Sequence, residues 1–156
     1  MNLLKLVVCL AGTFFAAFIG SMATGPAIPT WYAFLAKPSF NPPNWIFGPV
    51  WTVLYILMAV SACLVWQKGQ SDGSVRLALA LFIAQLVLNA LWSVLFFGLH
   101  SPLAGLACIA ALWLALLFTI LNFLKISVVA GWLLIPYILW VSFAAILNLF
   151  IFILNR

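Results

Sequence analysis

Acidic side chains are almost missing from this 156-residue chain: Asp72 is its single carboxylate and His100 its single histidine. Paired-carboxylate hydrolysis, histidine-centred triads and multi-ligand metal sites need more of these groups than the chain has. Charge of either sign is scarce, at 4% of residues against about 25% in a soluble domain. So few charges cannot cover a globule of this size. With 69% hydrophobic residues, most of the outer surface has to face hydrocarbon. The six basic residues stand singly between apolar runs, which excludes a nucleic-acid-binding patch and points to anionic lipid headgroups as the counter-charge. Cys9, Cys63 and Cys108 all lie inside apolar runs with no CxxC pair among them, so they read as small packing residues.

What the chain does have is long apolar sequence. Five stretches, 6–24, 45–66, 77–99, 103–123 and 126–154, approach or exceed the ~20 residues that a helix needs to cross a bilayer. The predicted fold is an all-α integral membrane protein, a single transmembrane domain over 1–156 built as a five-helix bundle. No internal repeat is visible and the number of spans is odd, so the two-halves plan of many transporters does not fit. Lys5, Lys68, Arg76 and Lys125 share the N-terminal side, against Lys37 and Arg156 on the other, which places the N-terminus in the cytoplasm. Gly12, Ala16, Gly20 and Thr24 recur every fourth residue. Such a small-residue stripe suits a retained, packed helix rather than a cleaved signal peptide.

The connection from Gly25 to Asn44 carries Pro26, Pro29, Pro38, Pro42 and Pro43, which fix the backbone and remove hydrogen-bond donors. It is expected to be stiff, and either a lid or a passive interfacial spacer. Inside the spans, Gln85, Asn89, Trp92 and Ser93 fall on one face of the third helix. Their amides serve either as glue between helices or as ligand contacts. The second helix aligns Trp51, Tyr55 and Met58, and the fifth aligns Tyr137, Trp140, Ala144 and Asn148, with Pro136 expected to kink that helix. Trp45, Trp66 and Trp132, near helix ends, suit interfacial anchoring. Trp51, Trp92 and Trp140 sit deeper, as core packing or as the lining of a pocket for a flat apolar ligand.

The segment Trp31-Tyr32, Leu35, Lys37-Pro38, Asn41-Pro42-Pro43, followed by Trp45, Phe47 and Trp51, resembles the tryptophan-rich sensory protein family, which includes the mitochondrial translocator protein or peripheral-type benzodiazepine receptor. Gln85, Asn89, Trp92 and Phe96-Phe97 match its third-helix pattern, and Trp132, Pro136-Tyr137, Trp140, Ala144 and Leu147-Asn148 its fifth. The resemblance implies a bacterial-type member in the cell membrane, commonly a homodimer, whose cavity is closed by the first loop and takes porphyrin, haem or apolar drug-like ligands without a required cofactor. The positions here that match the family's ligand cavity are Tyr32, Pro42, Trp51, Tyr55, Asn89, Trp92, Trp140 and Ala144, and Lys37 in the loop is either a contact for a ligand carboxylate or a solvated charge. Two departures stand out. Ser39 and Phe40 replace tryptophans frequent in relatives. No Lys or Arg follows Tyr137 within five residues, so the animal cholesterol-recognition pattern is absent and sterol binding is not carried over.

Three functions follow from this reading. The first is a receptor or sensor that binds tetrapyrroles and is linked to porphyrin transport or regulation. The second is light- and oxygen-dependent porphyrin breakdown, with Trp51 and Trp140 as redox-active residues. The third is a structural bundle with no ligand-sized cavity.

Overall fold

The computed structural model describes residues 2–69 and 72–156, among which helices account for all regular structure. Five of them are long and apolar enough to cross a bilayer: α1 (Leu3–Tyr32), α2 (Asn44–Trp66), α3 (Gly73–Gly98), α4 (Pro102–Ile126) and α5 (Val128–Leu154). The chain is thus an integral multi-pass membrane protein, as its composition requires.

Polar residues start the helices. Asn2, Asp72, Ser101 and Ser127 each accept a backbone N–H from the first turn of α1, α3, α4 and α5, satisfying donors that hydrocarbon cannot. The one carboxylate of the chain is therefore a helix cap. Hydrogen bonds from the Ser74 hydroxyl and then the Ser74 backbone N–H hold the Asp72 carboxyl below the usual carboxylate range.

The helices close into a ring. α1 packs on α2 and α3, α3 on α4, and α4 on α5, while α2 meets the first piece of α5, Val128–Leu133. At that end the bundle is tight. Ser61 donates to the Ala130 carbonyl at 2.7 Å, and the Lys5 ammonium donates to the Trp66 carbonyl at 3.1 Å while lying 5.4 Å from the centre of the Trp66 ring. Of the small stripe on α1, Gly20 packs closely, since a Cβ there would stand 3.1 Å from Ser93 Oγ, whereas Gly12 faces open space.

Pro136 does more than kink α5. The helix stops at Leu133 and restarts at Ile135, and the turn at Leu134 is held by its N–H donating to the Gly131 carbonyl at 3.1 Å. The proline ring excludes the carbonyl four residues back and disfavours helical dihedrals just before itself, so the interruption falls ahead of it. Past the break α5 leans on α4, and the space beside α2 widens.

The first helix also differs from expectation. It does not end at residue 24 but continues through Pro26 and Pro29 to Tyr32, so the connection between α1 and α2 is only 33–43. Its last turn, Ile28–Tyr32, widens to π geometry, and the Thr30 hydroxyl donates to the Pro26 carbonyl at 2.7 Å. The end of α3, Val94–Gly98, is π as well. Extra hydrogen-bonding from side chains and a wider helical register let the backbone accommodate proline within lipid.

Gly131 sits where α4 and α5 touch. A Cβ there would overlap the Leu124 side chain and come within 3.2 Å of the Leu124 Cα. Gly131→Ala should destabilise the bundle by about 1–3 kcal/mol, the usual cost of overpacking. A thermal melt in detergent checks this, and an unchanged Tm would mean the two helices move apart freely.

Candidate functional site

A cavity of ≈ 490 Å³ opens in the splayed half of the bundle, walled by α1, α2, α3 and the second part of α5. The possibility of a bundle without a ligand-sized hollow is thereby set aside. Its size falls within the roughly 300–1,000 Å³ of small-molecule sites.

Aromatic rings make two of its walls. On α2, Trp51 stacks on Tyr55 with centroids 5.6 Å apart and planes 30° from parallel. On α3, Trp92 stacks on Phe96 at 5.6 Å and 22°, and Phe97 stands edge-on to both. The π turns at the ends of α1 and α3 bring Tyr32 within 5.5 Å of Phe97, centroid to centroid, which closes the wall at the loop end. The rim lies between α1 and α2. Ser21, Gly25, Gly48 and Thr52 are all exposed there, and Trp45 is 73% exposed beside them.

Behind the walls, buried amides tie the helices together. Tyr55 Oη donates to Asn89 Oδ1 at 2.7 Å, Asn89 Nδ2 donates to Tyr137 Oη at 2.8 Å, and Tyr137 Oη donates to Gln85 Oε1 at 3.0 Å. Lower on the wall, Trp92 Nε1 donates to Asn148 Oδ1 at 3.1 Å, and Asn148 Nδ2 donates to the Pro102 carbonyl at 2.8 Å. Gly105 permits this approach. A Cβ at that position would lie 2.9 Å from both Asn148 Oδ1 and Phe96 Cδ2.

Of the residues singled out in the sequence, Tyr32, Trp51, Tyr55, Trp92 and Ala144 line the cavity together. Four others stand off it. Asn89 is buried one layer back, with both its amide atoms committed to tyrosine hydroxyls. Pro42 lies in the connecting loop, outside the wall. The Lys37 ammonium donates to the carbonyls of Ala33 and Leu35 at 3.2 and 3.1 Å, and sits 4.8 Å from the centre of the Tyr32 ring. Trp140 faces a second, more open groove of ≈ 590 Å³ between α2 and α5, where Pro49 and Pro136 also lie. A step of three residues along a helix turns a side chain about 60° from the starting direction, here Tyr137. That rotation carries Trp140 toward α2, where Phe47 stands between it and the cavity with ring centroids 5.9 Å apart.

The sequence reading missed the contribution of α1, including Phe14, Ala17 and Thr24, which line the cavity. A helix with apolar residues all round gives no periodic signal of which side faces a hollow. Asn148 was legible as a polar residue on the inner face of α5, and the Trp92 bond to it adds the reason.

The loop of 33–43 forms none of the wall; it is a strap across the ends of α1 and α5. Asn155 Oδ1 accepts the Ala36 N–H at 2.9 Å, and Asn155 Nδ2 donates to the Ala36 carbonyl at 2.9 Å. The Phe40 ring packs edge-on against Phe143 and Phe150, and Tyr32 Oη donates to Asn41 Oδ1 at 2.8 Å.

Comparison with known proteins agrees with this architecture. A family profile described as the TspO/MBR family matches residues 6–154. The chain is 46% identical over 156 residues to the tryptophan-rich protein TspO of Archaeoglobus fulgidus, covering 99% of both chains. It is 43% identical over 154 residues to that of Chlorobaculum tepidum, covering 99% of this chain and 98% of the relative. To the human translocator protein it is 36% identical over 132 residues, 84% of this chain and 78% of the human one. With the profile running through all five spans, the chain belongs to the TspO/MBR family.

Proposed function

We propose that this chain is a membrane receptor or sensor that holds a flat, largely apolar tetrapyrrole, protoporphyrin or haem, in the cavity between α1, α2, α3 and α5. The observation that carries the reading is the pair of stacked ring systems, Trp51 with Tyr55 and Trp92 with Phe96, on two walls of one ≈ 490 Å³ hollow. Planar π systems favour offset or edge contacts with a planar ligand, and few polar groups interrupt the walls. The gap between α1 and α2 gives an apolar molecule dissolved in the bilayer a direct way in. Carboxylates of the ligand would emerge at the loop end, where Lys37 lies against Tyr32.

Titration with protoporphyrin should quench tryptophan emission. Replacing Trp51 and Trp92 together by phenylalanine should raise Kd by about three- to tenfold, because an aromatic pair contributes about 0.5–1.5 kcal/mol beyond its buried area. Trp140→Phe should leave Kd within about twofold, since Phe47 screens that ring from the cavity. The opposite ranking of these variants would move the site to the outer groove.

The strap holds Tyr32 and the start of α2 in place around the loop end of the cavity. Asn155→Ala removes both bonds to Ala36. Its expected effect is a ligand release rate about three- to tenfold faster in stopped-flow measurements, on the scale of one or two neutral hydrogen bonds. No change in rate would assign the strap a purely structural role.

The receptor is further proposed to act as a homodimer, with Ala80 and Ala84, exposed four residues apart on α3, giving a second subunit a close seat. Single cysteines placed there should cross-link in native membranes; cross-linking only from other helices would move the interface.

A further inference from the structure

The four buried groups behind the α2 wall form a chain with a direction. Each donor points away from the cavity: Tyr55 to Asn89, Asn89 to Tyr137, Tyr137 to Gln85. It ends badly. Gln85 is fully buried, and its Nε2 is the one buried side-chain polar atom without a partner among the described residues. An orphaned N–H in an apolar interior is rarer, and costlier, than an under-satisfied carbonyl.

The same four side chains support the opposite direction. Turning both amides over and rotating the two hydroxyls makes Gln85 Nε2 donate to Tyr137, Tyr137 to Asn89 Oδ1, and Asn89 Nδ2 to Tyr55. All three links survive. What changes is at the two ends: the orphan at Gln85 becomes a carbonyl, and the Tyr55 hydroxyl is released from Asn89. Of the four, only Tyr55 lines the cavity.

We propose that this chain is a reversible relay through which Gln85 sets the hydrogen-bonding character Tyr55 presents to a ligand, so that the inner end of the cavity selects molecules carrying an acceptor, such as a carbonyl or carboxylate oxygen. The inference rests on the reading of the cavity as a ligand site and names what that site recognises. The direction seen in the structure keeps the Tyr55 hydrogen bonded to Asn89. A ligand acceptor beside Tyr55 adds a fourth bond to the reversed relay, in which Gln85 Nε2 has a partner for one of its two N–H groups. A ligand donor is met by the original direction, which keeps that orphan. Acceptors therefore bind better than donors of equal shape, and Gln85 is a positioning residue that acts without touching the ligand.

Three tricyclic probes of nearly the same shape separate these cases: fluorene, with neither group, fluorenone, with a carbonyl acceptor, and carbazole, with an N–H donor. Their Kd values are read from tryptophan quenching on the purified full chain. In the wild type, fluorenone should bind about five- to tenfold tighter than fluorene, the scale of one hydrogen bond, and its carbonyl stretch should fall in frequency. Tyr55→Phe should abolish both the preference and the frequency shift, each read relative to fluorene in the same variant.

Gln85→Met removes the acceptor at the end of the chain, so the Tyr137 hydrogen can go only to Asn89 and the relay is fixed in reverse. The carbazole-to-fluorenone Kd ratio should then rise about fivefold or more over wild type, with fluorene binding unchanged, since Gln85 does not line the cavity. A ratio that does not move in a folded Gln85→Met variant overturns the proposal. Should that variant not fold, a fluorenone preference that persists in Tyr55→Phe, or is absent from the wild type, overturns it equally. If fluorene binds without any discrimination, the relay falls and the cavity stands; if neither fluorene nor protoporphyrin binds, both fall together.

Discussion

Hydrocarbon offers a backbone amide no partner, so a helix in a membrane can be interrupted only where protein covers the break. This chain interrupts its helices at three places, Ile28–Tyr32, Leu134 and Val94–Gly98, and each shapes the cavity. The break at Leu134 lets the long part of α5 lean toward α4 after its first turns have closed on α2. The two π turns widen the ends of α1 and α3 and bring Tyr32, Phe96 and Phe97 inward. One half of the bundle is a plain packed core and the other a hollow, and irregular backbone separates them.

Polar side chains are spent between helices rather than at the ligand surface. Ser61 holds α2 to α5, Trp113 reaches Ser142 from α4 to α5, and Asn148 links α5 to both Trp92 and Pro102. Each bond satisfies a group that would otherwise be stranded in an apolar medium, and each fixes the rotation of one helix against another. The walls are left aromatic as a result, and recognition of polar groups on a ligand falls to few atoms. Glue and ligand contact, which the sequence leaves as alternatives for Asn89, become one arrangement: Asn89 touches no cavity, yet it holds the tyrosine that does.

The five spans were legible because a hydrophobic run of bilayer length, repeated five times, has too much apolar surface to be buried in so small a globule. The fold class followed from those runs, and the family from the order of motifs along them. The ends of the spans were less legible. Pro26 and Pro29 read as loop, yet helix persists through them, with the last turn in π register and the Thr30 hydroxyl bonded to the Pro26 carbonyl. On the walls, the aromatic spacing of α2 identified Trp51 and Tyr55 correctly as neighbours on one face. The same spacing rule misplaced Trp140, since a residue at the edge of a helical face goes to whichever side its neighbour leaves free, and Phe47 occupies the inner side. Which side of α1 lines a hollow is not written in α1 at all; it depends on where α5 breaks.

The strap has a bearing on how the molecule is made. Ala36 and Asn155 hold each other across 119 positions of sequence. During synthesis the first three helices can assemble, with their rings and their strap in place, long before the partner of that strap exists. The fastening waits for the last turn of the last span to enter the membrane, and contacts so distant in sequence are the slow ones to form. Fastening of the strap is therefore a late step of assembly, and until the end of α5 is in place the connection between α1 and α2 stays untied at Ala36.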